Sequence, residues 1–237
     1  GASSASEAPR VVFLGPPGVG KGTYATRLAE RLGVQHVAAG DLVRAEIRSG
    51  SALGQEMRAT VAQGRLLPDA TIAGLVADHL ERLAPNGYVL DGFPRTLQQA
   101  QELGAAQDLS LVVNLRMREE ALVAKCLGRR TCGECGRGFN VATVDFAAEG
   151  DKPRIYMPPL SPPAACEAKM EVRSDDTPRV VAERLRVHER ESGPVEAFYH
   201  GQSLLADFEI TAGIPETEPE LVAFIEAHLT GEHQEAA

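Results

Sequence analysis

The sequence predicts an α/β fold built on a mostly parallel sheet, and three observations carry that reading. Short apolar runs of strand length, such as Val11–Leu14 and Leu111–Val113, alternate with amphipathic helical stretches along most of the chain. A glycine-rich loop joins the first run to the first helical stretch. The 43% hydrophobic content over 237 residues is enough for a packed core, and no apolar run approaches the ~18 residues of a membrane span. Lys and Arg total 24 against 33 Asp and Glu, a net charge of -9. That balance argues against a general nucleic-acid binder or a polybasic membrane-surface protein. Four cysteines are too few for a disulfide-built scaffold.

Each element follows from local pattern. Arg10–Leu14 reads as a buried strand ending at Gly15. Ala25, Leu28, Ala29 and Leu32 recur at helical spacing, with Gly33 as the stop. His36–Ala39 reads as a short strand, followed by helices over Asp41–Ser49 and Ala52–Gln63, punctuated by Gly50 and Gly64. Ile72, Leu75, Val76, Leu80 and Leu83 mark another amphipathic helix. Tyr88–Leu90 and Leu109–Leu115 are strand-like, with a helix between them near Thr96–Leu103, and a further helix is predicted over Arg118–Arg130. Thr131–Met170 then changes texture, with three of the cysteines, five prolines and little helical period, as expected of a functional insert or a linker. Helix resumes at Thr177-Pro178, an N-cap followed by proline, with Val181, Leu185 and His188 along one face. A strand over Leu204–Ile210 and a helix over Pro219–Leu229 complete the series. Residues 1–9 and 231–237 are small and polar and read as flexible tails. The first is equally the stub of a cleaved organelle-targeting peptide or an expression remnant with an ordinary frayed end.

Gly15-Pro16-Pro17-Gly18-Val19-Gly20-Lys21-Gly22-Thr23 stands between a strand and a helix, the context a phosphate-binding loop requires. Its glycines let successive backbone N–H groups converge on phosphate oxygens, and the helix N-terminus adds positive partial charge. Gly22 departs from the common pattern, which has Ser or Thr directly after the lysine.

This loop, together with Ala39-Gly40-Asp41-Leu42-Val43-Arg44, Asp91-Gly92-Phe93-Pro94-Arg95 with Gln99, and Arg173 and Arg184 flanking Asp175-Asp176, resembles the adenylate kinases among the nucleoside monophosphate kinases. The resemblance spans about Val11–Leu229 and is specific because GKGT and DGFPR occur together. It implies a central five-stranded sheet with two inserted modules: core at 10–37, 68–127 and 177–230, an acceptor-binding module at 38–67 and a lid at 128–176. It implies MgATP and AMP as substrates, ADP as product, a role in energy-charge homeostasis, and a monomer. Lys21, Arg95, Arg129, Arg173 and Arg184 are the expected catalytic residues, with arginine suited to phosphate by its charged, bidentate fork. Gly18, Val19, Gly20, Lys21, Gly22, Thr23, Arg129, Gly138 and Phe139 are expected at ATP. Ala39, Arg44, Arg65, Leu66, Leu67, Gly92, Phe93, Pro94, Arg95, Gln99, Arg173 and Arg184 are expected at AMP. Asp91 is expected to hold the water shell of magnesium. Asp41 either assists it or caps the following helix.

Two positions depart from the family. Ala39 replaces a hydroxyl near the acceptor base, which leaves base reading to Gln99 and to backbone near Gly64–Leu67. Lys125 stands where relatives place an arginine over the ATP base, losing planar stacking. Cys132-Gly133-Glu134-Cys135 resembles half of a structural zinc site, but Cys166 is followed at the fourth-ligand position by Lys169. A degenerate knuckle with free thiols, a disulfide from Cys166 to Cys132 or Cys135, and zinc completed by Glu167, Glu171 or water remain open, with zinc the least expected. Cys126, at i, i+4 from Leu122, reads as core filler. The incomplete cysteine set, the stretch MPPLSPPAAC and Gly213-Ile214-Pro215-Glu216 resemble plastid members of the family, so a chloroplast location is expected, with mitochondrial or cytosolic as alternatives. The rivals are a kinase for UMP/CMP or GMP, a P-loop ATPase and an inactive kinase-like scaffold. The ATPase reading lacks an acid–acid pair after a strand, since Asp91 is followed by Gly92.

Overall fold

The computed structural model describes residues 8–63, 65, 67–83 and 86–231. Gly64, Leu66 and most of both expected tails lie outside the described residues. In chain order the elements are β1 (Arg10–Leu14), α1 (Lys21–Leu32), β2 (Gln35–Ala38), α2 (Ala39–Ser49), α3 (Ala52–Ala62), α4 (Asp69–Leu83), β3 (Tyr88–Asp91) and α5 (Leu97–Ala106). They continue with β4 (Leu111–Arg116), α6 (Glu119–Leu127), β5 (Arg129–Cys132), β6 (Gly138–Asn140), β7 (Val144–Phe146), β8 (Ile155–Met157), α7 (Ala164–Glu167) and β9 (Met170–Glu171). The last three are α8 (Pro178–His200), β10 (Leu205–Glu209) and α9 (Ile214–Thr230).

Five strands form the predicted parallel sheet in the order β10-β4-β1-β3-β2. Successive side chains of a strand point to opposite faces, and β1 is apolar on both. Val11 and Phe13 join Tyr24, Ala25 and Leu28 of α1, Leu122 of α6, and Leu221 and Ile225 of α9 in one core. Val12 and Leu14 join Val43, Ile72, Val76, Ala100, Leu103, Val195 and Tyr199 in the other. A sheet covered by helices on both faces leaves the C-terminal ends of its strands as the open edge where ligands bind in such folds.

Several boundaries differ from the sequence reading for identifiable reasons. Ala39 opens α2 instead of closing β2, with Ala38 as its N-cap. Asp41 therefore lies in the first turn, not at the cap, where its charge suits the helix dipole. The helix predicted to reach Arg130 stops at Leu127 and is capped by Gly128; Arg129 and Arg130 begin β5. The final helix starts at Ile214, not Pro219: Pro215 occupies its first turn, where a missing N–H costs nothing, and Pro219 lies inside it. Thr177 and Thr96 cap α8 and α5, accepting from Val180 N and Gln99 N.

The segment 128–176 divides by its packing. β6, β5 and β9 form a small antiparallel sheet whose interior is Cys132, Phe139 and Cys166. The hairpin of β7 and β8, by contrast, packs on the main core. Val144, Ile155 and Met157 are each at most 2% exposed and belong to the same cluster as β1 and α1. Tyr156 N donates to Thr211 O at 3.2 Å, and Arg118, just before α6, donates to Ala147 O at 2.7 Å and lies over the Phe146 ring. Residues 144–157 thus form a strap on the core, flanked by chain that leads to the cysteine-bearing sheet.

That packing has a measurable consequence. Truncating a fully buried aliphatic side chain removes about 2–5 kcal/mol of stability. Ile155→Ala is expected to lower the global unfolding free energy in urea by that amount. An unchanged urea midpoint would show that the strap does not belong to the core.

Candidate functional site

The site begins with the loop between β1 and α1. Gly18 has φ +92°, and a Cβ there would stand 2.6 Å from Leu122 O and 2.8 Å from Cys126 Sγ, so the backbone fits only as glycine. Cys126 is fully buried against this loop, consistent with its reading as core filler. No side chain caps α1, which leaves first-turn N–H groups for a ligand's oxygens. Lys21 folds back over the loop, donating to Gly15 O at 2.7 Å and Pro16 O at 2.9 Å. Burial lowers its ammonium to a pKa of about 8; Asp91 opposes that change, while Arg95, Arg184 and Arg129 reinforce it. A Cβ at Gly22 would lie 3.2 Å from Asp91 Oδ2, so the β3 carboxylate stands directly beside the start of α1.

A cavity of about 450 Å³ opens at this edge of the sheet. Lys21, Arg44, Arg95, Arg173 and Arg184 line it, gathered from α1, α2, the chain after β3, the chain before α8, and α8 itself. Ala39, Arg65, Leu67, Gly92, Pro94 and Gln99 also line it. Phe93 instead belongs to the buried core, and Leu66 lies outside the described residues. Gly138 and Phe139 stand in β6, beyond the described lining, with Phe139 packed beside Cys132 and Cys166.

What holds Arg129, Arg173 and Arg184 together is Asp175-Asp176, a pair whose place between two arginines has no local signature of that role. Arg173 clasps Asp175 with Nε and Nη2 at 2.9 and 2.8 Å, and Arg184 Nη1 reaches the same carboxylate at 2.9 Å. Asp176 has a fully buried side chain and accepts from Arg129 Nε at 2.8 Å. Arg184 approaches Asp176 at 3.7 Å, so Arg129 joins the cluster through this carboxylate, behind the described lining. Burial alone would raise the Asp175 carboxyl, but Arg173 and Arg184 hold it down at about 2. Arg184 is lowered to about 10 by burial and by its neighbouring arginines, against the pull of Asp175. A guanidinium has five N–H donors, so a two-point clasp fixes its plane and leaves donors for phosphate.

Toward α2, Arg44 is paired with Asp41, and Arg95 Nε donates to Gly92 O at 2.8 Å. Gln99 is 2% exposed; its Oε1 accepts from Arg95 N at 2.8 Å and its Nε2 donates to Asp69 Oδ1 at 2.7 Å. Sequence reasoning missed Asp69, whose place after Pro68 looks like an ordinary helix start. It also missed His188, a cavity-lining residue read only as part of a helix face.

The cysteine-bearing sheet brings Cys132, Cys135 and Cys166 together, with ligand atoms within 4.8 Å of one another. Cys135 Sγ and Cys166 Sγ lie 3.7 Å apart and all four cysteines are free, so the disulfide alternative is not the state of this structure. Lys169 pairs with Glu134 instead of joining the sulfurs.

A phosphate-binding loop facing a cluster of arginines across an open cavity is a site built for moving phosphoryl groups, the class of a phosphotransferase. The adenylate kinase family model matches residues 13–204. The chain is 49% identical to probable adenylate kinase 6, chloroplastic, of Arabidopsis thaliana, over 95% of this chain and 77% of that protein. It is 50% identical to adenylate kinase 1, chloroplastic, of the same plant, over 89% and 75%. An adenylate kinase of Solanum tuberosum is 49% identical over 89% and 74%. The chain belongs to the adenylate kinase family, phosphotransferases that work on adenine nucleotides with magnesium.

His188 provides a test of the site's electrostatics. Burial, Lys21 and Arg95 depress its pKa to about 4, while an unfolded histidine titrates near ~6.5. The unfolded chain therefore binds the extra proton between these values, and stability falls as pH drops from about 6.5 to 4. His188→Asn is expected to flatten the stability–pH curve in that window; an identical slope would contradict the assignment.

Proposed function

We propose that the chain transfers a phosphoryl group reversibly from MgATP to AMP, giving two ADP, by gathering both phosphate groups inside the arginine-lined cavity. The single observation that carries this reading is the convergence of Lys21, Arg95, Arg173 and Arg184 on one cavity, with Arg129 tied in through Asp176. Phosphoryl transfer asks the protein mainly for positioning and charge neutralisation, which fixed guanidinium groups supply.

The residues divide by position. The loop Gly18–Thr23 receives the ATP phosphates on backbone N–H groups, and Lys21 follows the transferred group. Asp91 offers acceptor-only oxygens beside that loop, which fits the water shell of a magnesium ion arriving with ATP. Arg44 and Arg95 hold the AMP phosphate. Ala39, Arg65, Leu67, Gly92 and Pro94 shape its site, and Gln99 reads the adenine edge. Arg173 and Arg184 stand between the two ends, with Arg129 behind them. The cysteine-bearing sheet acts as a lid: folding it inward brings Gly138 and Phe139 toward ATP and excludes water, the competing acceptor. Residues 38–67 act as the acceptor clamp. Among the described residues no helix is long and apolar enough to cross a membrane. The working compartment is the plastid, by likeness to the chloroplastic relatives.

Coupled measurement of ADP formation tests the proposal. Lys21→Met and Arg95→Ala are each expected to lose roughly 10²–10³-fold in turnover with folding retained. AMP is expected to exceed UMP, CMP and GMP as acceptor. Phosphate release from ATP without an acceptor, or a preference for another monophosphate, would overturn it. A further expectation follows from Lys21. Deprotonation above pH about 8 weakens MgATP binding, so KM for MgATP rises there before kcat falls, because bound phosphates favour the charged ammonium. A flat KM from pH 7 to 9.5 would contradict this.

A further inference from the structure

A primary amide presents a donor at one end and an acceptor at the other, so what it recognises depends on which way round it is held. Adenine's pairing edge offers a donor at N6 and an acceptor at N1; guanine's offers an acceptor at O6 and a donor at N1. Rotating a glutamine amide by half a turn exchanges its match to one base for a match to the other. In this chain the choice weighs more than usual, because Ala39 has no hydroxyl to contribute.

The Gln99 amide is pinned at both ends by groups that allow one orientation. The Arg95 backbone N–H can only donate, and it takes Oε1 at 2.8 Å. The Asp69 carboxylate offers only acceptor oxygens, and one of them takes Nε2 at 2.7 Å. Each contact uses one of the amide's two donors or two acceptor sites, leaving one N–H and one lone pair for a base. Gln99 lines the cavity, whereas Asp69 stands behind it, outside the described lining, in the first turn of α4. The first backbone bonds of α4 go to Pro68 O, from Thr71 N and Ile72 N at 3.0 and 3.2 Å. The Asp69 side chain reaches across to Gln99 through Oδ1.

We infer that Asp69 is a positioning residue that sets adenine over guanine selectivity by fixing the orientation of the Gln99 amide. The inference rests on the reading above that Gln99 meets the acceptor base. Asp69 touches no reacting atom, and its effect is confined to which monophosphate is accepted.

The experiment measures kcat and KM for AMP and for GMP at saturating MgATP, with melting temperatures, for the wild type, Asp69→Asn, Asp69→Glu, Gln99→Leu and the double variant Asp69→Asn/Gln99→Leu. Asparagine at 69 can donate as well as accept, so it no longer selects one amide orientation, and the choice is left to the Arg95 N–H alone. Asp69→Asn is expected to raise KM for AMP and to cut the AMP-over-GMP ratio of kcat/KM about tenfold, the effect of one misplaced hydrogen bond, while kcat for AMP changes far less. Glutamate keeps an acceptor-only partner and is expected to retain more of the ratio than asparagine. The double variant is expected to discriminate no worse than Gln99→Leu alone. If Gln99→Leu collapses the ratio and Asp69→Asn leaves it intact, Asp69 does not position the amide and the inference falls. A lowered melting temperature with an unchanged ratio would assign Asp69 a purely structural role and overturn it equally. If Gln99→Leu leaves the ratio untouched, the underlying reading of Gln99 fails, and the inference with it. Should Asp69→Asn not fold, Asp69→Ser decides by the same ratio.

Discussion

The arginine cluster exists because two adjacent carboxylates hold it. Guanidinium groups repel one another, and Arg129, Arg173 and Arg184 would separate in the absence of a common counter-charge. Asp175 binds two of them and the fully buried Asp176 binds the third, so cations from β5, the chain before α8 and α8 meet in one place. A buried ion pair is weak evidence for stability, since desolvation offsets much of the attraction. Its use here is placement: charge is set in position before phosphate arrives, and the reaction need not reorganise it.

The same pair explains how a chain of net charge -9 can handle anions. Bulk charge counts say nothing of local arrangement, and the positive groups here are concentrated at the C-terminal edge of a parallel sheet. That edge is where the phosphate loop, Asp91 and the chain after β3 emerge together. The fold thereby brings motifs about 70 residues apart in sequence into one cavity (from Gly22 to Asp91, for example, which nearly touch).

The central sheet and its helices were legible because their signals are long and periodic. Val11–Leu14 and the Ala25, Leu28, Ala29 series state their faces outright. The phosphate loop was legible because glycine spacing is a backbone requirement. Gln99 and the arginines needed the family resemblance, since a lone glutamine or arginine has no local signature. Asp69 was invisible because its role depends on a partner 30 residues away. The strap failed for another reason. Val144–Phe146 and Ile155–Met157 are three-residue strands, too short for alternation to register, and the prolines nearby suggested an undivided insert. Its attachment to the core was a tertiary fact. The helix that ended early at Leu127 shows the opposite failure, a local pattern carried one turn past a glycine that stopped it.

The central claim is that phosphates enter a field of arginines already in place. A crystal structure of the chain with a dinucleoside polyphosphate spanning both ends of the cavity tests it most directly. The account predicts Arg173 and Arg184 still joined to Asp175, and Arg129 to Asp176, with their remaining N–H groups within about 2.7–3.2 Å of phosphate oxygens. Phosphates bound away from these side chains, or arginines that had abandoned both aspartates to reach them, would contradict it.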